Sequence, residues 1–400
     1  MSIVIVGAGE CGTRAALALR EGGYEGAVTL IDAERHRPYE RPPLSKDALI
    51  AAAPSPKPIA GSDRLGPAGI DFRPGRTAQA IDRARGAVLT DDGALRYERL
   101  LIATGARPRP LPAADGAPGV TMLRTLDDAA RIRAALGPGA RVAIVGGGFI
   151  GLELAASARR LGADVTVIEA LPRLLARAVP AEIAAALHDR HVAEGVTIRL
   201  GAGVAAIDAD SVMLTDGTAV PADLVVVGIG AVPNTELAAA AGLAIENGVA
   251  VDATLATADP AILAAGDCAS VPMPLYDGRR IRLESWRSAQ EQGALAARNL
   301  LGAAEPVSAV PWFWSDQYDL TLQIAGLADG AATHIRRERP NGAFLLLHLA
   351  ADGRLLAAAG VGRGNAVAKD IRLAEMLIAR RAAPDPAALA DPSVNLKRLL

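Results

Sequence analysis

Two glycine clusters of the same pattern constrain this chain more than any other feature. Gly7-Ala8-Gly9-Glu10-Cys11-Gly12 follows the apolar run 3–6, and Gly146-Gly147-Gly148-Phe149-Ile150-Gly151 follows 141–145. After each comes an alanine- and leucine-rich stretch that reads as a helix, 13–20 and 152–161, then a second apolar run, 27–31 and 164–168. Both second runs end on an acid, Asp32 and Glu169. Strand, GxGxxG, helix, strand, acid is the order of a mononucleotide-binding half. The first glycine allows a tight turn, the second lets backbone approach a pyrophosphate, and the third lets helix and strand pack closely. The helix N-terminus adds N–H groups for the phosphates. Glycine is abundant, 41 of 400 residues, so one match alone would carry little weight. Two complete copies cannot be put down to composition. Gly7, Gly9 and Gly12 fill these roles in one fold and Gly146, Gly148 and Gly151 in the other, so one fold is expected to hold a flavin dinucleotide and the other a nicotinamide dinucleotide.

The acids bear on cofactor choice. A carboxylate at the end of the second strand accepts hydrogen bonds from the two free ribose hydroxyls of NAD and repels a 2'-phosphate. Glu169 therefore favours NADH over NADPH, although Arg173 and Arg177 follow within a few residues. In the first half the choice between Asp32 and Glu34 as the ribose ligand stays open.

The remaining sequence suggests how the units are divided. Residues 33–60 are rich in proline and arginine and read as an irregular, stiff excursion, not as helix or strand. An apolar run over 97–104 ends at Gly105, and Arg107-Pro108-Arg109-Pro110 marks an exit. The short run 262–265 leads to Gly266 and Asp267, ahead of a helix starting near Ser285. These pieces are expected to return to the first fold. The boundaries are placed at 1–113 with 237–305 for a discontinuous FAD-binding domain, 114–236 for an NAD-binding domain and 306–400 for a C-terminal domain. In the last, 320–324, 343–350 and 355–361 read as strands and 369–380 as a helix. The fold class is α/β, with two Rossmann-like dinucleotide-binding domains plus a smaller α+β C-terminal domain.

Composition excludes several alternatives. A formal net charge of -2 leaves no single-sign field for nucleic acid. No run reaches the roughly 18 apolar residues of a membrane span, and residues 2–6 run into the glycine cluster without a basic leader, so a cytoplasmic protein is expected. The only cysteines, Cys11 and Cys268, form no CxxC or CxxxxC pair. That argues against a disulfide reductase, a resident metal site and an iron–sulfur cluster, which needs about four thiolates at short spacing. Both thiols read as structural, with the backbone N–H of Cys11 rather than its sulfur facing the pyrophosphate.

The stretches RPYERPPLSKDAL, LLIATGARPR, RTLDDA, VVGIGAVPNTEL, AAGDCA, LESWRSAQEQG and VPWFWSDQYDLTLQIAG stand beside the two glycine motifs. Together they resemble the FAD-dependent, NADH-specific ferredoxin reductases that serve bacterial cytochrome P450 and Rieske-type oxygenase systems, a glutathione-reductase-like fold. The likeness runs over nearly the whole chain. It implies that Lys46, with Arg41 in the same motif, lies beside the flavin, and that Arg124, Thr104, Gly105, Gly266 and Asp267 contact FAD. It further implies that Phe149, Ile150, Glu153 and Gly230 belong to the nicotinamide side, with Glu153 next to the ring. Trp286 and the pair Trp312 and Trp314 would wall the flavin site, with no choice made between the last two.

On this reading hydride passes from NADH to the flavin with no protein acid or base, only close and aligned rings. Lys46 stabilises the developing charge, and Lys46 and Glu153 are the candidate catalytic residues. Electrons leave for a separate, acidic [2Fe-2S] ferredoxin and, through it, a P450 or Rieske oxygenase. Arginines 35, 37, 41, 64, 73, 279 and 280 are candidates for its docking face. Two other readings stay open: a flavoprotein reductase of quinones, dyes or rubredoxin, and a nucleotide-binding flavoprotein that acts by protein interaction. The sequence leaves the choice between monomer and dimer open.

Overall fold

A computed structural model describes residues 1–52 and 55–400. Ala53 and Pro54, within the excursion expected over 33–60, lie outside the described residues. The chain divides into two compact units. The first comprises 1–40, 57–107 and 232–309, and the second 41–56, 108–231 and 310–400.

The first unit is built on a five-stranded parallel sheet. Its order is Ile262–Ala264, Arg99–Ile102, Ser2–Val6, Ala27–Asp32, Ile70–Pro74. Ile5 is paired with Leu30 on one side and Leu101 on the other, and all three are fully buried. Such two-sided burial explains why the strand is an unbroken apolar run, since both faces of a parallel sheet are covered. Each buried aliphatic side chain contributes about 2 kcal/mol. The helix Glu10–Glu21 packs against the helix Trp286–Leu300, whose N-terminus is capped by Ser285 accepting the Ser288 N–H. The two approach so closely that a Cβ on Gly293 would stand 2.3 Å from the Cys11 carbonyl oxygen.

The second unit repeats the plan. Its parallel sheet runs Thr197–Leu200, Asp164–Glu169, Arg141–Val145, Leu224–Val227, Val120–Met122. Ile144 stands between Val167 and Val226 as Ile5 does between its neighbours. An antiparallel sheet follows in the same unit, ordered Trp312–Gln317, Leu320–Gly326, Leu355–Arg363, Phe344–Leu349, Thr333–Glu338. The helices Ala368–Ala379 and Ala181–Ala193 both pack on its strand Leu355–Arg363. All six residues of Phe344–Leu349 are buried.

Several elements escaped sequence reading. The excursion over 33–60 contains a 3-10 turn, Pro42–Ser45, and a short helix, Asp47–Ile50. The prolines occupy the first two positions of the turn, where a missing N–H costs nothing. Three-stranded antiparallel meanders at Ala78–Asp82, Ala87–Thr90, Gly93–Arg96 and at Val204–Ile207, Ser211–Leu214, Ala219–Pro221 were also missed. Their strands are three to five residues long and mix buried with exposed positions, so no continuous apolar run marks them.

Candidate active site

In the first unit the glycine loop shows why Gly7 and Gly12 are obligatory. Gly7 has φ +105°, and a Cβ there would lie 2.2 Å from the Ala103 carbonyl oxygen; on Gly12 it would lie 1.8 Å from that of Gly7. Gly9 faces open space, with nothing within 4 Å. The loop is thus a closed turn with one bare backbone position at a helix N-terminus, a shape and a dipole suited to a pyrophosphate. Asp32 holds it: Oδ2 accepts the Ala8 N–H at 2.5 Å, and Oδ1 accepts the Glu34 N–H at 2.8 Å. Glu34 in turn accepts from the Tyr39 hydroxyl. Thr104 exchanges two bonds with Asn234, giving its hydroxyl proton to the Asn234 carbonyl at 2.7 Å and accepting the Asn234 amide at 2.8 Å. Gly266 donates its N–H to Gln292 Oε1 at 2.9 Å and lies against Cys11. Asp267 follows in the 3-10 turn Gly266–Cys268, and both cysteines are buried and free. Burial pushes the Cys11 thiol well above its ordinary range, so it is an inert packing group.

Glu10 was not singled out from the sequence. It sits in the first turn of the glycine-loop helix and accepts from Gln290 Nε2 at 3.2 Å, and its Oε2 is buried without a hydrogen-bond partner. Burial, reinforced by the nearby Glu40, raises its pKa to about 7. Its signal was present, a charged residue inside a motif whose other positions are small or apolar.

The second glycine loop has the same geometry. Gly146 has φ +115°, a Cβ on it would meet the Gly228 carbonyl oxygen at 2.3 Å, one on Gly151 would meet that of Gly146 at 2.2 Å, and Gly148 is open. Glu169 accepts the Gly147 N–H at 2.7 Å and the Leu171 N–H at 2.8 Å. A carboxylate has about four acceptor sites, so capacity for ribose hydroxyls is left over. Ile150 is exposed at the start of the helix Phe149–Arg160, and the Phe149 ring packs on Phe313 with centroids 4.4 Å apart. Gly230, with φ +114°, accepts the Arg109 N–H at 2.8 Å.

Within the same unit, the proline-rich turn brings Lys46 to Glu153. Lys46 Nζ lies 2.9 Å from Glu153 Oε1 and 5.9 Å from the centre of the Trp314 ring. Glu153 is buried on the helix and also accepts from Ser45 Oγ at 2.5 Å and Ser315 Oγ at 2.6 Å. The turn is fixed there by Ser157, which donates to the Ser45 carbonyl at 2.7 Å, and by Arg41, which donates to the Arg124 carbonyl at 2.7 Å. Trp312 and Trp314 stack at 5.4 Å, and Trp314, the one against Lys46, also donates to Asp316. Trp286 lies in the first unit, in the opening turn of its helix. A partly buried, paired ammonium beside an aromatic face is able to meet negative charge that develops on an adjacent ring.

Four of the arginines expected to dock a partner have partners within their own unit. Arg280 pairs with Glu246 at 3.0 Å and donates to the Val251 and Ser270 carbonyls, so its work is local. Arg64 pairs with Glu21, Arg73 with Asp71, and Arg41 is half-buried against Arg124. Among the described residues no three His, Cys, Asp or Glu side chains gather as a metal site would require, and no helix is long and apolar enough to cross a membrane.

Residues 1–293 match the pyridine nucleotide-disulphide oxidoreductase family model, and 312–400 match the reductase C-terminal model. Similar proteins include the anthranilate 1,2-dioxygenase system ferredoxin–NAD(+) reductase component of Burkholderia cepacia, 45% identical over 99% of this chain and 98% of that one. Rhodocoxin reductase of Rhodococcus erythropolis is 40% identical over 99% and 94% of the two chains. The reductase in the crystal structure of the covalent putidaredoxin reductase–putidaredoxin complex superposes with a TM-score of 0.93 at 38% identity, over 100% of this chain and 97% of that one. This chain belongs to the FAD-dependent NADH:ferredoxin reductases of the putidaredoxin and rhodocoxin reductase type. It is an NADH-dependent FAD flavoenzyme reductase. The family's name refers to a disulfide, yet both cysteines here are buried and free.

Proposed function

We propose that the two glycine loops divide the work of this reductase. The loop of residues 7–12, with Asp32, Thr104, Gly105, Gly266 and Asp267, holds FAD. The loop of residues 146–151, with Glu169 behind it, receives NADH. The return of Ile262–Ala264 to the edge of the first sheet supports a discontinuous FAD domain over 1–113 and 237–305, with the NAD domain over 114–236. When bound, FAD supplies the conversion of a two-electron hydride input into single-electron output.

Lys46 and Glu153 flank the place of hydride delivery. The observation that carries this reading is their 2.9 Å ion pair beside Trp314, with the carboxylate buried and the ammonium partly exposed. Glu153 orients the ammonium, and Lys46 offers fixed positive charge to the reacting rings. Glu169 selects NADH by accepting ribose hydroxyls and repelling a 2'-phosphate. The free, buried thiols support work in the reducing cytoplasm. Anaerobic stopped-flow with NADH and then NADPH tests the scheme. Fast flavin bleaching by NADH and slow bleaching by NADPH are expected, followed by reoxidation when a [2Fe-2S] ferredoxin is added. A flavin that NADH leaves oxidised would overturn it.

A further inference from the structure

Glu153 is also the end of a longer chain of buried polar groups within the second unit. Ser315 Oγ donates to Glu153 at 2.6 Å, and Gln317 Nε2 donates to Ser315 Oγ at 3.1 Å. His191 Nε2 lies 2.9 Å from Gln317 Oε1, and the Tyr318 hydroxyl lies 3.3 Å from His191 Nδ1. Ser315, Gln317 and His191 are each 1% exposed or less.

The donor direction follows from chemistry. An amide oxygen only accepts, so His191 presents Nε2–H to Gln317. Its Nδ1 is then the acceptor, and Tyr318 donates. Gln317 passes the direction on through its NH₂ group, and the hydroxyl proton of Ser315 points to the carboxylate. Every link therefore runs one way, from Tyr318 to Glu153. Burial lowers the His191 pKa to about 4, which keeps the imidazole neutral and the tautomer single; Arg190 and His188 on its own helix act in the same sense and Glu194 opposes them. The edge of the imidazole also packs on the Tyr318 ring, 5.0 Å between centroids, with Arg190 on that ring.

We propose that His191, Gln317 and Ser315 are positioning residues, an ordered chain of donors that fixes the Glu153 carboxylate, and through it the Lys46 ammonium, for hydride delivery. Strand geometry makes the chain possible. Phe313, Ser315 and Gln317 alternate with Trp312, Trp314 and Asp316, so one side of Trp312–Gln317 carries the relay while the other carries the stacked indoles. The helices Phe149–Arg160 and Ala181–Ala193 supply the two ends, Glu153 and His191.

The inference rests on the reading of Lys46 and Glu153 as flanking the reacting rings, but its test separates from that reading. In the FAD-loaded protein labelled with ¹⁵N-histidine, His191 should show the neutral Nε2–H tautomer. Its resonances should shift in Glu153→Gln and in Ser315→Ala, although neither residue touches the imidazole. In stopped-flow, Ser315→Ala and the isosteric Gln317→Glu should slow flavin reduction by NADH by about tenfold, while the nucleotide concentration at half-saturation stays within about twofold. A His191 signal unmoved in both variants, or reduction at the wild-type rate in both, overturns the relay while wild-type reduction by NADH leaves the proposed function intact. Failure of the wild-type flavin to be reduced by NADH instead strikes the proposed function itself.

Discussion

Glu169 accepts the backbone N–H of Gly147 at 2.7 Å, so the acid proposed to face the adenosine ribose is also a strut of the glycine turn. Glu169→Ala removes both contributions. The expected result is an increase of about tenfold or more in the NADH concentration at half-saturation with kcat within about threefold, the signature of lost uniform binding. Discrimination against NADPH should fall in the same variant because the repelling charge is gone. Steady-state reduction of a ferredoxin with each nucleotide measures both.

Lys46 and Glu153 should be energetically coupled. Lys46→Met strands a buried carboxylate and should cost about 3 kcal/mol, whereas Lys46→Met combined with Glu153→Gln should recover part of that loss. Urea denaturation of the single and double variants gives the cycle. Additive losses would show that the pair contributes nothing.

Glu10 should make stability depend on pH. Its folded pKa, about 7, lies above the ordinary 4.5. The folded protein therefore binds the proton more tightly, and this contribution is full below pH 4.5 and is lost as pH rises through 7. Glu10→Gln should raise the unfolding temperature at pH 8 relative to wild type and leave it nearly unchanged at pH 5. Thermal unfolding at the two pH values decides it, and equal shifts at both would refute the assignment.

His191 acts with the opposite sign. A histidine whose folded pKa is depressed to about 4 contributes stability above pH 6.5 that is lost as pH falls from there to about 4. Up to about 3 kcal/mol is involved. Denaturation midpoints should fall over that window and do so less steeply in His191→Gln.

Arg337 should anchor the C-terminal segment. Its side chain is 1% exposed, pairs with Asp370 and donates to the carbonyls of Leu389, Asp391 and Val394. Arg337→Leu should release residues 385–400 to proteolysis and lower stability by about 3 kcal/mol, because several buried carbonyls lose their donor. Limited proteolysis followed by mass spectrometry reads this directly.

The glycine loops were legible because their requirement is local. A positive φ at Gly7 and Gly146, and backbone oxygens within 2.3 Å of any added Cβ, tolerate no other residue. The parallel strands were legible because covered sheets demand continuous apolar runs. The meanders were not, because short, half-exposed strands carry no such run. The excursion at 33–60 read as irregular because its prolines signal breaks, whereas Pro42 and Pro43 start a 3-10 turn instead.

Sequence alone determined the order of the parallel strands and helices around the two dinucleotide motifs, the absence of a redox cysteine pair and the resemblance to one reductase family. Each is written in residues close together along the chain or in the texture of the whole. Tertiary structure decided which distant groups meet. Lys46, Glu153, Ser315, Gln317 and His191 come from four separate stretches of sequence, and only the packing of a proline turn, two helices and one strand makes them a single hydrogen-bonded line. Tertiary structure also assigned Asp32 to the glycine loop and Arg280 to local carbonyls. A hydrogen bond depends on a few tenths of an ångström between groups whose separation along the chain carries no information about their separation in space.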